Sequence, residues 1–189
     1  MGNTDIAGLS LLEAYISEEE ETALVMAIDS ATWRNDLKRR VQHYGYRYDY
    51  RTRSLGPDHY LGPLPRWSSD LVDGLIADGI FARPPDQLIV NEYLPGQGIA
   101  SHIDCLSCFG NTIVSLSLLS GCIMRFSQGS TGLAIERWLP RRSLLIMQGP
   151  ARFEWRHSIA ARKTDRVDGR LRLRERRLSL TFRTVRIAA

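Results

Sequence analysis

The sequence predicts a mostly β fold: a double-stranded β-helix, or jelly roll, buttressed by two helices near the N-terminus. Downstream of Pro85, short runs of alternating apolar and polar residues follow one another, separated by Gly, Pro, Asn or Ser. No helical periodicity interrupts these runs, and seven or eight strands without intervening helices are typical of a double-sheet jelly roll. Upstream of Pro85, two stretches carry apolar residues at helical spacing.

Both helices are predicted before residue 80. Ser17 and the four glutamates that follow it form a capping box, in which Ser17 caps the helix and Glu20 reaches back to the Ser17 backbone. Because apolar residues then recur at helical spacing, we place the first helix at about 18–30. The second is placed at about 69–78, where leucine, valine and isoleucine residues are spaced for one buried face.

Between these helices, residues 40–50 (RVQHYGYRYDY) alternate aromatic and polar side chains, which predicts a strand or hairpin. The strands of the jelly roll itself are predicted at 87–94, 98–104, 112–119, 122–127, 133–139, 142–147 and 176–186. Residues 158–175, rich in Arg and Asp, are predicted to form a surface loop that leads into the last strand. We expect a single domain over residues 1–189, with the helices in 1–85 and the jelly-roll core in 86–189.

The composition is that of a globular protein, with 43% hydrophobic and 24% charged residues. No apolar run approaches the roughly 20 residues that span a bilayer, and the N-terminus lacks the basic and apolar segments of a signal peptide. We therefore expect a cytoplasmic protein without membrane contact. Three cysteines are too few for a disulfide framework, so we expect free thiols or metal ligands. The sequence does not determine the oligomeric state, for which a monomer is the default expectation.

The net charge of +4 conceals a strong asymmetry along the chain. From Met1 to Asp36, eight acidic residues accompany a single basic residue, Arg34, whereas fifteen Lys or Arg and four acids lie from Arg137 to the end. Such a distribution indicates a basic surface that could face a polyanion. An Arg-rich strand edge in water, which blocks aggregation by its charge, explains the same pattern equally well.

Two of the four histidines lie in segments suited to metal binding. In the predicted strand GIASHID, His102 and Asp104 are separated by one residue, and because strand side chains alternate between faces, both point the same way. A third ligand from another strand would complete a two-histidine, one-carboxylate set, which leaves three positions open on octahedral iron(II). His157, in the segment FEWRHSI just after the strand 142–147, is the natural candidate. An H-x-D pair alone is weak evidence, because it is frequent by chance.

The last predicted strand strengthens the metal-site interpretation. In RLSLTFR, Arg177, Ser179, Thr181 and Arg183 share one face, while leucine and phenylalanine residues occupy the other. Two arginines on the inward face of a small barrel are costly unless they bind anions. A dicarboxylate such as 2-oxoglutarate supplies two carboxylates that match the guanidinium fork. The alternative is an edge strand with its polar face in water.

A further pair of polar residues lies on the strand 87–94, where Asn91 and Tyr93 share one face and can hydrogen-bond a ligand carboxylate or keto group. Taken in order, N-x-Y, H-x-D, a distal His and R-x-x-x-x-x-R resemble the pattern of the AlkB family of iron(II)/2-oxoglutarate dioxygenases. The resemblance is strong over about residues 85–186 and looser upstream. Segments such as NEYLPGQGIASHID are similar to the branch typified by an animal homologue fused to a tRNA methyltransferase, and to bacterial repair proteins.

This resemblance implies a jelly-roll enzyme that uses iron(II), 2-oxoglutarate and O2. The metal ligands that it implies are His102, Asp104 and His157, and the 2-oxoglutarate-binding residues are Asn91, Tyr93, Arg177, Ser179 and Arg183. Arg177 would bind the distal carboxylate, and Arg183 would lie near the iron-chelating carboxylate or near Asp104. Ser179 stands where the repair enzyme of the family has Asn, a minor departure. Leu106 stands where that enzyme has an acid that helps to read the base, which puts a methyladenine preference in doubt.

The leading functional hypothesis is oxidative dealkylation of N-alkylated bases in DNA or RNA, with residues 1–85 helping to recognise the nucleotide. A base must leave the stack to reach a buried iron, and flat side chains would then grip it. The candidates for this contact are Tyr44, Tyr46, Tyr48 and Trp67, although ordinary packing on the sheet is the better explanation for each of them taken singly. Arginines interleaved with the tyrosines are typical of a groove for single-stranded nucleic acid: Arg39, Arg40, Arg47, Arg51 and Arg53.

Three other functions remain open on the sequence. They are hydroxylation of a modified wobble uridine in tRNA, a non-catalytic jelly-roll module that only binds, and hydroxylation of a protein. Cys105 and Cys108 also form a C-x-x-C pair, which could bind zinc together with His102 or Cys122. A zinc site would leave His157 and the two arginines of the last strand without a role, so we favour iron.

Overall fold

The structure of the protein, a computed structural model, describes residues 5–35, 39–49, 55–129 and 131–187. The elements, in chain order, are β1 (Leu9–Leu12), α1 (Glu18–Ser30), β2 (Val41–Gly45), α2 (Ser69–Ala77), β3 (Gln87–Tyr93), β4 (Ile99–His102), β5 (Phe109–Leu118), β6 (Cys122–Ser127), β7 (Ala134–Leu139), β8 (Leu144–Met147), α3 (Gly149–Phe153), β9 (Arg156–Ile159), β10 (Thr164–Val167), β11 (Arg170–Leu173) and β12 (Arg177–Val185). Two 3-10 turns, Pro57–His59 and Arg66–Ser68, precede α2.

Two antiparallel sheets form the jelly roll, which confirms the predicted fold class. The large sheet has the strand order β1-β8-β5-β12-β3-β2, and the small sheet has the order β4-β9-β6-β7. Strands β10 and β11 form a separate hairpin. The N-terminal region therefore contributes β1 and β2 to the large sheet, in addition to its helices.

The last strand, β12, lies in the middle of the large sheet between β5 and β3. Its alternation is the predicted one, because Leu178, Leu180 and Phe182 are fully buried under the helices. On the other face, Arg177 lies opposite Tyr93 and Ser179 opposite Asn91, so these polar side chains point between the two sheets. The alternative of an edge strand in water is therefore excluded.

Helices α1 and α2 cover the outer face of the large sheet, as predicted. Leu24 and Ile28 of α1 and Leu75 of α2 pack against the apolar face of β12. The predicted capping box at Ser17 is present: the Glu20 amide donates to Ser17 Oγ at 3.1 Å, and the Ser17 amide donates to Glu20 Oε2 at 2.7 Å. No described helix has the length and apolar character needed to cross a membrane.

Two predicted segments have a different structure, and β1 and α3 were not predicted. The strand predicted over 40–50 ends at Gly45, whose φ of +73° turns the chain out of the sheet. The loop predicted over 158–175 instead contains the end of β9 and the hairpin of β10 and β11. Its base is held by Asp165, which accepts two hydrogen bonds from Arg174 at 2.6 and 2.8 Å. The abundance of arginine and aspartate in this segment suggested a surface loop, whereas Arg174 and Asp165 form a buried ion pair.

Ion pairs within the fold neutralise part of the charge asymmetry. Acids of the N-terminal region form ion pairs with arginines from the C-terminal half: Asp5 with Arg137, Glu18 with Arg142, Glu21 with Arg141, and Asp29 with Arg176. Glu21 is buried and also accepts a hydrogen bond from the Leu119 amide at 2.6 Å. The pairs of Glu18, Glu21 and Asp29 connect α1 to the jelly roll, so part of the charge asymmetry serves tertiary structure.

Candidate active site

Three predicted ligands converge between the two sheets. His102 on β4 and His157 on β9 lie opposite each other in the register, with ring centroids 4.3 Å apart. Asp104 follows β4, and its Oδ1 lies 3.9 Å from His102 Nε2. The candidate ligand atoms of the three residues all lie within 4.8 Å of one another. His157 was predicted to follow a strand, but it lies on its own strand after the short helix α3.

The protonation of these side chains suits a divalent cation. His102 Nδ1 lies 2.8 Å from the Ala100 carbonyl, so the Nδ1–H tautomer donates there and leaves Nε2 as the electron-pair donor. Burial lowers the pKa of His157 to about 4, which keeps its imidazole neutral at pH 7. Burial raises the pKa of Asp104, but Arg183 and the two histidines outweigh it and lower that pKa to about 2. Two imidazole nitrogens and one carboxylate are the donor set that non-haem iron(II) prefers.

Two arginines hold the Asp104 segment from different sides. Arg183 Nη2 donates to Asp104 Oδ1 at 2.9 Å and Arg183 Nη1 donates to Gln87 Oε1 at 2.9 Å. Arg152 of α3 is buried and donates to the carbonyls of Asp104 at 3.0 Å and Cys105 at 2.9 Å. The sequence analysis did not identify Arg152, although it lies only five residues before the proposed ligand His157.

The other end of the interior is built for an anion. Arg177 is 2% exposed and donates through Nη2 to Ser117 Oγ at 2.8 Å. Its Nε and Nη1 are buried and have no hydrogen-bond partner among the described residues. Buried guanidinium donors without acceptors are costly, so this cradle fits a carboxylate such as that of 2-oxoglutarate.

Asn91 and Tyr93 border the same cradle, where Arg177 lies over the Tyr93 ring at 5.5 Å. Burial raises the pKa of Tyr93, so its hydroxyl stays protonated and able to donate. Arg39 lies over the same ring at 5.4 Å and donates to Asn91 Oδ1 at 2.8 Å. Arg39 had been expected only near nucleic acid, because nothing in the local sequence indicates that it reaches β3. Ser179 lies deeper in the interior and exchanges a 2.8 Å hydrogen bond with Ser115.

The four aromatic candidates for base recognition are not brought together. Tyr44 and Trp67 pack edge-to-face at 5.6 Å on the helix-covered side of the large sheet, away from the triad. Tyr46 packs on Tyr60, and Tyr48 packs on Phe109 beside the Cys105 segment. The four side chains therefore do not form one continuous surface, because the turn at Gly45 breaks the alternation of the strand. Arg51 and Arg53 lie outside the described residues.

The cysteine expectations are also corrected. Cys105 and Cys108 form a disulfide, so they are neither free thiols nor zinc ligands in this structure. Cys122 is a free, buried cysteine of the core between the sheets. Within the described ranges, the potential metal-binding group that emerges is the His102, Asp104 and His157 set.

Comparison with known proteins agrees with this geometry. Residues 8–183 match the 2OG-Fe(II) oxygenase superfamily. The chain is 39% identical over 206 residues to the mouse tRNA (carboxymethyluridine(34)-5-O)-methyltransferase ALKBH8, covering 95% of this chain and 30% of that protein. It is 38% identical over 205 residues to the Arabidopsis thaliana alkylated DNA repair protein ALKBH8 homolog, covering 96% of this chain and 59% of that protein.

An uncharacterized mimivirus protein, L905, is 36% identical over 183 residues, which cover 96% of this chain and 86% of the viral one. The chain thus spans less than a third of the mouse relative and most of the viral one. Among solved structures, OsALKBH1 superposes with a TM-score of 0.72 at 20% identity, covering 94% of this chain and 96% of that one.

These matches confirm the expected enzyme class and cofactors, and they set aside the non-catalytic module. The chain belongs to the 2OG-Fe(II) oxygenase superfamily and is an AlkB homologue, an enzyme that uses iron(II), 2-oxoglutarate and O2.

Proposed function

We propose that the enzyme oxidatively dealkylates N-alkylated bases in single-stranded nucleic acid, with the iron held by His102, Asp104 and His157. The observation that carries this proposal is the position of the triad beside a cationic cradle inside one jelly roll. His102 is 33% exposed whereas Asp104 and His157 are buried, so the triad opens towards solvent on the His102 side. This opening gives a base that has left the stack access to the proposed metal site.

The residues of the chain would each perform a stated task. Iron(II), when bound with 2-oxoglutarate and O2, supplies the oxidant that hydroxylates a C–H bond while 2-oxoglutarate becomes succinate and carbon dioxide. Arg177, supported by Ser117 and the Tyr93 hydroxyl, would orient the distal carboxylate of 2-oxoglutarate. Arg183 would keep the Asp104 carboxylate ionised and aimed at the metal. A hydroxylated N-methyl group then loses formaldehyde to restore the base.

A second candidate is hydroxylation of a modified uridine in tRNA, which leaves an alcohol instead of releasing an aldehyde. Two observations favour it. The mouse relative, 39% identical over the matched residues, is named for tRNA carboxymethyluridine. Leu106, 50% exposed on the segment after Asp104, offers no carboxylate to a methyladenine. A relative from Caenorhabditis elegans, 27% identical over 188 residues, is named a DNA N6-methyl adenine demethylase and supports the first candidate.

The two candidates are separated by mass spectrometry. A single-stranded oligonucleotide with 1-methyladenine or 3-methylcytosine is incubated with the enzyme, iron(II), 2-oxoglutarate and O2. We expect loss of the methyl mass with the wild type, none with His102→Ala, and full loss with His59→Ala, a histidine outside the triad. Unchanged methyl mass while succinate is still formed would overturn dealkylation. A gain of one oxygen on tRNA in the same reaction mixture would then establish the second candidate.

A further inference from the structure

The outer face of the small sheet carries a groove that the oxygenase site does not use. It has a volume of about 660 Å³ and is formed by β4, β6, β7, β9 and the segments 96–98 and 160–162. Ser158 lines this groove, whereas its neighbour His157 points to the inside, so the groove and the triad lie on opposite faces of the same strands. Ile123, buried but outside the interior clusters, forms part of its floor.

The lining of the groove suits an extended anion. Three arginines contribute to it, Arg39, Arg125 and Arg162, together with one acid, Glu136. Much of the remaining lining is glycine and alanine, which lets a polymer backbone approach the sheet closely. Arg39 also donates to Asn91 in the interior, so the groove begins beside the cosubstrate cradle.

The hairpin of β10 and β11 extends this basic surface. Its exposed cations are Lys163, Arg166, Arg170 and Arg172. Unlike the arginines that pair with the N-terminal acids, neither these four nor Arg125 form an ion pair with any of the described residues. A cluster of unpaired positive charge of the C-terminal half is therefore exposed to solvent on this surface.

The hairpin is anchored firmly enough to act as a fixed contact. Asp165 is fully buried at its base and accepts hydrogen bonds from Arg174, from Arg162 at 2.8 Å and from the Ile123 amide at 3.2 Å. Arg172, on the same face as Asp165, lies over the Trp138 ring of β7 at 5.5 Å. The hairpin thus packs on the outer face of the small sheet, and its cations keep their positions relative to the groove.

We propose that the groove and the hairpin together form a second nucleic-acid contact, which binds the phosphodiester backbone of a long substrate away from the reacting base. The inference rests on the proposed function, because it takes the substrate to be nucleic acid. A strand whose base lies at the triad passes around the edge strand β4, with Arg39 at the turn, and continues along the groove. The enzyme then binds a folded tRNA more tightly than a short oligonucleotide that carries the same base.

Charge reversal of the hairpin tests the proposal. The variant Arg166→Glu/Arg170→Glu is compared with Arg66→Glu, which changes an exposed arginine of the 3-10 turn Arg66–Ser68. Binding of a tRNA transcript and of a pentanucleotide is measured by fluorescence anisotropy at several salt concentrations. We expect the double variant to weaken tRNA binding about tenfold and to reduce the slope of log Kd against log salt by roughly 1.5. Pentanucleotide binding and succinate formation without nucleic acid stay unchanged.

The outcomes separate this inference from the function on which it rests. If the wild type forms succinate but neither binds nor modifies nucleic acid, the proposed function fails, and the second contact fails with it. If the wild type modifies the pentanucleotide and both variants bind tRNA equally well, only the second contact is overturned.

Discussion

Arg152→Met removes the guanidinium that holds the backbone beside Asp104 while keeping most of the side-chain volume. The wild-type side chain makes two good hydrogen bonds, at 3.0 and 2.9 Å, and a longer one of 3.4 Å to the Gly110 carbonyl. Hydrogen bonds from charged donors contribute about 1.5–3 kcal/mol each, so counting only the two good bonds gives an upper range of about 3–6 kcal/mol. Because Met restores some packing, we expect a loss of about 3 kcal/mol in the free energy of unfolding.

The effect on metal affinity distinguishes two physical roles for Arg152. If its charge dominates, removing a cation near the triad strengthens binding of a divalent metal. If its positioning of the Asp104 backbone dominates, binding weakens, by about 10–100-fold as is common when groups that support a metal ligand are lost. The three buried hydrogen bonds favour positioning, and burial lowers the pKa of Arg152 to about 10, which still leaves it charged at pH 7.

Manganese(II) titration by calorimetry, with urea unfolding of the apo-enzyme alongside, measures both quantities. Arg152→Lys keeps the charge but not the planar fork, so we expect an affinity between those of wild type and Arg152→Met. Arg66→Met is the control for loss of an exposed arginine. Wild-type or tighter manganese binding by a folded Arg152→Met protein would refute the positioning argument.

Three further predictions concern the cradle, the ion pairs and the turn after β2. Arg177→Met raises the KM for 2-oxoglutarate by at least about tenfold, in steady-state succinate assays, because the buried carboxylate loses its bidentate partner. Manganese affinity stays unchanged in that variant. Hydrogen bonds from Arg40 lower the folded-state pKa of Glu92. Burial raises the pKa of Asp165, but hydrogen bonds from Arg174 outweigh burial and lower that pKa. The stabilisation of the folded state by these two carboxylates is therefore complete above their unfolded pKa of about 4, and it is lost as the pH falls through their folded pKa values. Urea unfolding between pH 6 and about 2 measures this loss. Gly45→Ala lowers the unfolding free energy by more than about 2 kcal/mol, because its φ is +73° and a Cβ would lie 1.9 Å from the Asp86 carbonyl oxygen.

A different experimental result would contradict each of these three predictions. An unchanged KM for Arg177→Met would show that the cradle does not bind the cosubstrate. Asp165→Asn should flatten the acid limb of the stability curve, and an unaltered limb would remove that ion pair from the explanation. A Gly45→Ala protein as stable as the wild type would mean that the backbone relaxes without cost at this turn.

Local periodicity made the central strands readable from the sequence. The alternation of RLSLTFR predicts which β12 side chains face the interior, because strand geometry has a period of two residues regardless of the partner strands. His102 and Asp104 also lie close together, but β4 ends at His102, so strand alternation alone does not account for the position of Asp104. Helix α1 was equally readable, since a capping box acts within four residues.

Other features depend on residues distant in the chain, and only the tertiary structure decided them. Arg152 serves the Asp104 backbone 48 residues away, and Glu21 of α1 meets Arg141 across 120 residues. Tyr44 and Tyr48 lie in different places because the chain turns out of the sheet at Gly45. Acidic residues of the N-terminal region form ion pairs with arginines of the C-terminal half. Sequence patterns report which faces an element has, whereas the partner that each face meets is set by packing of the whole chain, and that packing determines which charges remain free to bind a substrate.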